Sequence, residues 1–388
     1  MWFSRFRCMV AAFMGILLLS CCSDEPTEVP IDRIREVIEL MQREGILIDN
    51  VDETAGKAIF DFSDGSRLGI LFDAVSVVSI DPKGFWSLNG TQTDDNVENS
   101  DGFGIIDRSK SDSGLCGIVE DYTQWSFVFD DGECISIKKS LFGKNADDLI
   151  KGINHRGYSK FLPENTLPAF RMSRLKGFEY VETDIRFSSD GVPVLLHDET
   201  IDRTSSGNGK VSEMSLEQLR SFDFGSWKSA DYQGTLIPTL DEFLKLCDAI
   251  GLKPYLELKV GTKAQIRQVV TMVESFGMGD KVTYISFSEG LLRYVSEIEP
   301  DARIGYLFSR TMTRQAVETA ASLKNGVNSV FVDSYDYSSR CIDLCTSAGL
   351  PLEVWTINSE REIRSLPEYI SGVTSDYLHA GRVVAESK

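Results

Sequence analysis

Histidine is the scarcest of the reactive residues, with three in a chain of 388. Proline and glycine, at 11 and 31, are too few for a collagen-like or low-complexity chain. Basic residues are short as well. Lys+Arg 40 against Asp+Glu 59 leaves a net charge of -19, and a surface that acidic repels nucleic-acid phosphates. The sequence has one conspicuous apolar run, residues 9–19, too short to span a bilayer, which excludes a multi-span membrane protein. Cys 8 in so long a chain does not make a disulfide scaffold. A small phosphate-bearing ligand stays open, because a metal ion or a few Arg and Lys side chains reverse the field inside a pocket. The remaining composition, 42% hydrophobic and 26% charged, is globular and leaves room for a barrel of about 250 residues plus one small domain.

Arg5 and Arg7, the apolar run and then Leu18-Leu19-Ser20-Cys21 resemble the lipobox of bacterial lipoproteins. The resemblance implies that residues 1–20 are a signal peptide, that Cys21 is lipidated, and that the chain is exported and held on a bacterial membrane, on its periplasmic side or at the cell surface. Ser23-Asp24-Glu25 resembles a sorting signal for the outer face. Residues 21–45 then comprise the anchor, a polar tether and a helix over 31–44, with Ile34, Ile38 and Met41 at helical spacing and Gly45 as its stop.

Residues 46–147 read as a small all-β domain of unknown role and partner. Two segments repeat, Phe60-Asp61-Phe62-Ser63-Asp64-Gly65 and Phe127-Val128-Phe129-Asp130-Asp131-Gly132, each an alternating strand followed by a hairpin turn. Trp86 and Trp125 read as core in preference to a sugar- or peptide-binding face. The Asp94-Asp95 and Asp130-Asp131 pairs read as turns in preference to Ca²⁺ ligands. Cys116 and Cys134 are placed to bridge within this domain, whereas Cys247, Cys341 and Cys345 read as core thiols on helices.

Residues 148–388 alternate apolar strands with amphipathic helices. Eight strand candidates end near His155, Asp184, Lys259, Phe287, Phe308, Asp333, Trp355 and Asp376, with helices over 167–175, 240–250, 264–276 and 339–348 among the segments between them. Eight β-α alternations in this length predict an α/β TIM (β/α)8 barrel with an insertion after the second strand, preceded by the small all-β domain. An open doubly wound sheet is the alternative, but no Gly-rich nucleotide loop follows the first strand.

Polar residues gather at the ends of these strands, where such barrels carry their active sites. Glu182 and Asp184 are two apart on one strand, as are Glu257 and Lys259 on another, so each pair shares a face. If the Asp190-Gly191 turn pairs Phe187 with Val192, His197 falls opposite Glu182. His155, Glu182, Asp184, His197, Glu257 and Lys259 then converge on the barrel mouth. Three carboxylates together need a cation, and carboxylate-only ligation suits Ca²⁺ or Mg²⁺ better than Zn²⁺. Arg156 and Lys259 supply positive charge for a phosphate, and two His can work as base and acid across a displacement at phosphorus. His379 is expected at the surface.

His155-Arg156-Gly157, Pro163-Glu164-Asn165-Thr166, Glu182-x-Asp184, Asp190-Gly191, His197-Asp198 and Glu257-Leu258-Lys259, in this order, resemble the glycerophosphodiester phosphodiesterase family, as do Ser286-Phe287, Val354-Trp355-Thr356 and Thr374-Ser375-Asp376. The resemblance covers roughly 150–380. It implies a metal held by Glu182, Asp184 and Glu257, His155 and His197 as the acid/base pair, and Arg156 and Lys259 on the phosphate. It gives supporting roles to Glu164, near the metal or His155, to Asp198, and to Trp355 beside the glycerol. Asp198 to Thr239 matches the family's insertion, and Tyr377 departs from the small residue or Pro expected after Asp376. The implied reaction is metal-dependent hydrolysis of a small glycerophosphodiester to an alcohol and sn-glycerol 3-phosphate. Phosphoinositol, lysophospholipid or teichoic-acid-like diesters are alternative substrates, and a surface binding lipoprotein with an inactive barrel is the alternative of another class.

Overall fold

The computed structural model describes residues 27–28, 34–54, 57–63, 67–71, 75–89, 91–97, 106, 114–122, 124–131, 133–139, 150–309, 313–323, 328–333 and 339–385. The signal segment, Cys21, Cys22 and Ser23-Asp24-Glu25 lie outside the described residues. The chain divides into two compact units, Met1–Lys144 and Asn145–Lys388. No helix among the described residues is long and apolar enough to cross a membrane.

In the first unit, the helix Ile34–Arg43 buries Ile34, Val37, Ile38 and Met41, one stripe of a 3.6-residue period. Gly45, at φ +66, ends it. The strands β1 (Thr27–Glu28), β2 (Ile48–Thr54), β3 (Lys57–Phe62) and β4 (Arg67–Leu71) form a sheet of order β1-β4-β3-β2. A second sheet, of order β10-β9-β8-β5-β6-β7, contains β5 (Ser76–Ile80), β6 (Phe85–Leu88), β7 (Thr91–Asn96), β8 (Leu115–Glu120), β9 (Gln124–Phe129) and β10 (Cys134–Lys138). Both repeated segments are antiparallel hairpins, β3 with β4 and β9 with β10, although the tips at 64–66 and 132 lie outside the described residues. On β9, Trp125, Phe127 and Phe129 enter one core with the helix, while Val128 enters a second with Trp86 and Cys116. Both tryptophans are therefore core. Asp131 pairs with Arg35 at 2.7 Å, and the same guanidinium nitrogen takes Glu133 at 3.1 Å. The expected Cys116–Cys134 bridge does not form: β9 lies between β8 and β10, and two strand spacings, about 10 Å, exceed disulfide reach.

The second unit is a closed barrel. Its parallel strands are β11 (Lys151–Asn154), β12 (Tyr180–Phe187), β14 (Lys253–Leu258), β15 (Thr283–Ser286), β16 (Arg303–Phe308), β17 (Asn328–Asp333), β18 (Leu352–Trp355) and β19 (Ile370–Ser375). β11 bonds to β19 on one side and to β12 on the other, which completes the ring and excludes the open sheet. Ile153, Tyr255, Ile285 and Leu307 pack inside it. The helices Leu167–Leu175, Leu240–Ile250 and Ser339–Ala348 fall where the apolar spacing puts them, and the fourth runs Lys263–Ser275. Capping boxes at Thr239 with Glu242 and at Thr262 with Gln265 fix two of their starts. Cys341 and Cys345 are buried in the core between helices and barrel, and Cys247 is buried on its own helix.

Two expectations fail here. The short strand β13 (Pro193–Leu195) pairs Phe187 with Pro193, one residue off the expected register, because Ser188 to Val192 form a longer turn closed by the Ser188 N–H on the Val192 carbonyl. His379 is not at the surface. It is 6% exposed, against the Phe178 ring at 4.9 Å and over Gly152, where a Cβ would meet its Nδ1 at 2.9 Å.

Burial, then Arg382, pushes the His379 imidazole down to about 4. Between that value and the ordinary value of about 6.5, the unfolded chain binds a proton that the native chain refuses, so stability falls as pH descends through this window. From pH 7.5 to 4.5 the loss is about 2–3 kcal/mol. We expect His379→Gln to remove it. In denaturant titrations of the barrel transition, the stability gap between wild type and variant should close by that amount over the same range, and a gap constant with pH would refute the burial argument.

Candidate active site

The first strand delivers its chemistry through a left-handed turn. Arg156 has φ +54 and Gly157 φ +80, and a Cβ on Gly157 would lie 2.7 Å from the Ala169 Cβ, so only glycine lets this turn seat on the helix Leu167–Leu175. The turn aims the Arg156 N–H at Glu182 Oε2, 3.0 Å away. It leaves His155 with Nε2 3.9 Å from the same oxygen and Nδ1 2.7 Å from Asp376 Oδ1. A carboxylate accepts only, so Nδ1 carries the proton and Nε2 is the nitrogen free for chemistry. Asp376, just past β19, is itself fixed by the Asn358 side-chain amide at 2.6 Å.

His197 reaches the mouth by another route than the one expected. The β12–β13 ladder ends at Leu195, the Leu196 N–H bonds the Asp184 carbonyl, and Arg186 grips the His197 carbonyl through Nε and Nη2 at 2.9 and 2.7 Å. Its Nδ1 lies 2.7 Å from Asp198 Oδ1. Both imidazoles thus rest on an aspartate. Burial pushes His197 down from its ordinary value. Burial would raise Asp198, but Arg203 and His197 outweigh it and hold it at about 2.

Glu182, Asp184 and Glu257 each offer an oxygen within 4.8 Å of the others. Asn165, left-handed at φ +56, donates to Asp184 Oδ2 at 2.8 Å while its own Oδ1 accepts from Thr183. Arg156 Nε stands 3.3 Å from Asp184 Oδ2, and Lys259 Nζ is 3.4 Å from Asp184 Oδ1 and 2.7 Å from Glu257 Oε1. Burial, then the charges of Asp184 and Glu257, raises Glu182 far above the carboxylate range, and burial with Asp184 lifts Glu257 to about 7. Asp184 is also penalised by burial, yet Arg156, Lys259 and His197 hold it well below its ordinary value. Among the described residues, Glu182 Oε1 and Asp184 Oδ1 are buried and accept no hydrogen bond. Hard oxygen donors, crowded and incompletely satisfied, fit a hard divalent cation.

The pocket over this cluster is lined by His155, Arg156, Glu182, His197, Glu257 and Lys259 on its ionic side, and by Ile285, Phe287, Leu307 and Trp355 on the other. Trp355 packs edge-on to Phe287 at 5.6 Å. Glu164 contacts Arg156 at 2.9 Å and Arg203 at 2.7 and 2.8 Å, so it acts on the cationic groups of the site. Sequence reasoning named Asp376 as a strand end and in a family-like string but gave it no role, and it passed over Asn358, Arg186 and Arg203. Their roles depend on contacts across 221, 18, 11 and 39 positions, for which one sequence gives no signal.

A carboxylate cluster at the mouth of a TIM barrel, with two aspartate-oriented imidazoles and two cations in the same pocket, brings together the groups that phosphoryl-transfer chemistry uses. Residues 155–380, more than half of the chain, match the glycerophosphoryl diester phosphodiesterase family, and the chain belongs to that family. It is 29% identical over 231 residues to a glycerophosphodiester phosphodiesterase of Caldanaerobacter subterraneus, covering 58% of this chain and 93% of the relative. Among solved structures, an Oleispira antarctica phosphodiesterase in complex with the product sn-glycerol-3-phosphate superposes with TM-score 0.56 at 27% identity, covering 62% of this chain and 98% of that one. A glycerophosphodiester phosphodiesterase from Agrobacterium tumefaciens gives 0.51 at 26% identity, over 61% and 99%.

Proposed function

We propose that this enzyme hydrolyses glycerophosphodiesters to an alcohol and sn-glycerol 3-phosphate, with a divalent cation on Glu182, Asp184 and Glu257 and with His155 and His197 as the acid/base pair. The observation that carries the reading is the pair of imidazoles, each fixed at Nδ1 by an aspartate, that line one pocket with Glu182 and Glu257 of the carboxylate cluster. When bound, Ca²⁺ or Mg²⁺ supplies Lewis-acid polarisation of a phosphoryl oxygen. Arg156 and Lys259 neutralise the phosphate. One imidazole takes the proton of the nucleophile, either water or the glycerol 2-hydroxyl, as a new P–O bond forms. The other protonates the alkoxide as its bond to phosphorus breaks. The 2-hydroxyl is the preferred nucleophile, and the cyclic diester it makes is then opened by water. The Trp355 indole, whose buried Nε1 has no hydrogen-bond acceptor among the described residues, flanks the glycerol.

A second substrate reading, a monoacylated diester such as a lysophospholipid, is favoured by the apolar wall. It climbs from Ile285 and Leu307 to Phe287, which is 41% exposed at the rim beside β15. In both readings the lipobox-like Leu18-Leu19-Ser20-Cys21 supports an exported, membrane-anchored enzyme, and a mature chain that begins elsewhere than at an acylated Cys21 would remove that part of the proposal.

The test incubates the full chain with glycerophosphocholine, glycerophosphoethanolamine and lysophosphatidylcholine under Ca²⁺, Mg²⁺ or EDTA, and assays released alcohol. We expect release with metal and a fall to background in EDTA. Metal-independent release would reject the cation's role. Failure on all three substrates with metal bound would reject the substrate reading.

A further inference from the structure

The insertion after the second barrel strand carries one side chain whose contacts reach both halves of the site. Arg203 lies between buried Ile201 and Thr204. Its Nε donates to Asp198 Oδ2 at 2.6 Å, its Nη1 to Glu164 Oε2 at 2.7 Å and its Nη2 to Glu164 Oε1 at 2.8 Å. Asp198 holds His197 through its other oxygen, and Glu164 holds Arg156, which in turn faces Asp184. A chain of short contacts thus runs from one imidazole to the carboxylate cluster, and Arg203 is its central link. We propose that Arg203 is a positioning residue of the phosphodiesterase reaction, fixing His197 through Asp198 and Arg156 through Glu164 at once. The proposal rests on the functional reading above.

The geometry separates Arg203 from an ordinary surface ion pair, which contributes about 0–1 kcal/mol and tolerates loss. Its own side chain is 46% exposed, but its partners are more covered, Glu164 at 12% and Asp198 at 30%. All four of their oxygens receive a donor from His197, Arg156 or Arg203. Removing Arg203 strips Asp198 Oδ2 and Glu164 Oε2 of those donors. Asp198 is then free to rotate away from His197 Nδ1, and Glu164 to draw Arg156 outward. A planar guanidinium satisfies three acceptor oxygens in one fork, and a Lys ammonium placed there cannot reproduce that geometry.

The experiment uses the full chain with glycerophosphocholine as Arg203→Ala, Arg203→Lys and, as a control, Arg293→Ala, which removes the exposed Arg293–Glu289 pair. We expect Arg203→Ala to lower kcat ten- to hundredfold with KM changed less than threefold and melting temperature nearly unchanged. Free guanidinium should recover part of the rate, Arg203→Lys should fall well short of wild type, and the control should be silent. Because the chain has only His155, His197 and His379, ¹⁵N-histidine NMR provides a readout independent of turnover. His197 should lose its single Nδ1–H tautomer in Arg203→Ala while the other two rings hold theirs. Wild-type kcat together with an unaltered His197 spectrum would overturn the proposal, as would a lower kcat with all three rings disturbed and no rescue. If the wild-type enzyme turns over no diester, the substrate reading fails and the His197 spectrum still decides the role of Arg203.

Discussion

Alanine at His155 or at His197 should lower kcat by about 10²–10⁴, the range for loss of a positioned acid or base, while metal affinity stays within a factor of two. Neither imidazole nitrogen belongs to the Glu182, Asp184 and Glu257 cluster, so the binding frame survives the change. The two losses should not add in full, because either variant already stalls the same displacement. A diester whose leaving group is as acidic as p-nitrophenol needs no protonation on departure. With that substrate one of the two variants should recover most of the wild-type rate, and the variant that recovers identifies the general acid. Equal, modest losses in both variants on both substrates would leave the imidazoles as binding groups and reject the assigned chemistry.

Opposite changes in stability should follow from substitutions only two residues apart. In the metal-free protein, Glu182 is raised far above the carboxylate range by burial, then by Asp184 and Glu257. At neutral pH its ionised form therefore weakens the fold, and Glu182→Gln should raise the melting temperature measured in EDTA. Asp184 is held down by Arg156, Lys259 and His197 against its own burial, so its charge is part of what balances theirs. Asp184→Asn leaves buried cations short of a partner and should lower stability by about 3 kcal/mol. On the proposed reading Ca²⁺ or Mg²⁺ should add thermal stability to the wild type, and both substitutions should abolish that gain. Thermal unfolding with and without metal tests all of this at once. A destabilised Glu182→Gln, or metal protection retained in either variant, would contradict the carboxylate cluster as the cation's seat.

The barrel was legible because its strands and helices repeat a local pattern eight times, and because side chains two apart on a strand must share a face. Glu182 with Asp184 and Glu257 with Lys259 needed nothing more. The pairing of β12 with β13 needed the turn between them, and one additional residue in that turn shifted the register. His197 reaches the pocket all the same, because the Leu196 N–H and Arg186 carry it there after the ladder has ended. His379 was misplaced because a reading of its stretch as a polar C-terminal segment passes over the flanking Leu378 and Ala380, and its neighbours in space are Phe178 and Gly152. Cys116 and Cys134 were misjudged for the opposite reason: near in sequence, they are held apart by a strand. Asp376 and Arg203 show the general limit. Their types suit many surface roles, and only closure of the sheet and folding of the insertion decide which oxygens they meet.

The imidazole on the first barrel strand is oriented by an aspartate just past the last, and both groups sit at the seam where β11 bonds to β19. The histidine and the aspartate that orients it are thus drawn from the two ends of the barrel's own chain order. A nascent chain emerges N-terminus first, so it presents His155 long before Asp376 exists to hold it. The three carboxylates, all upstream of residue 260, are likewise complete before Asp376 is made. On the functional reading above, turnover waits for the arrival of the final strand, and a chain ending before Ile370 should be able to gather its carboxylates yet remain catalytically mute. Activity in this barrel then reports that the circle has closed.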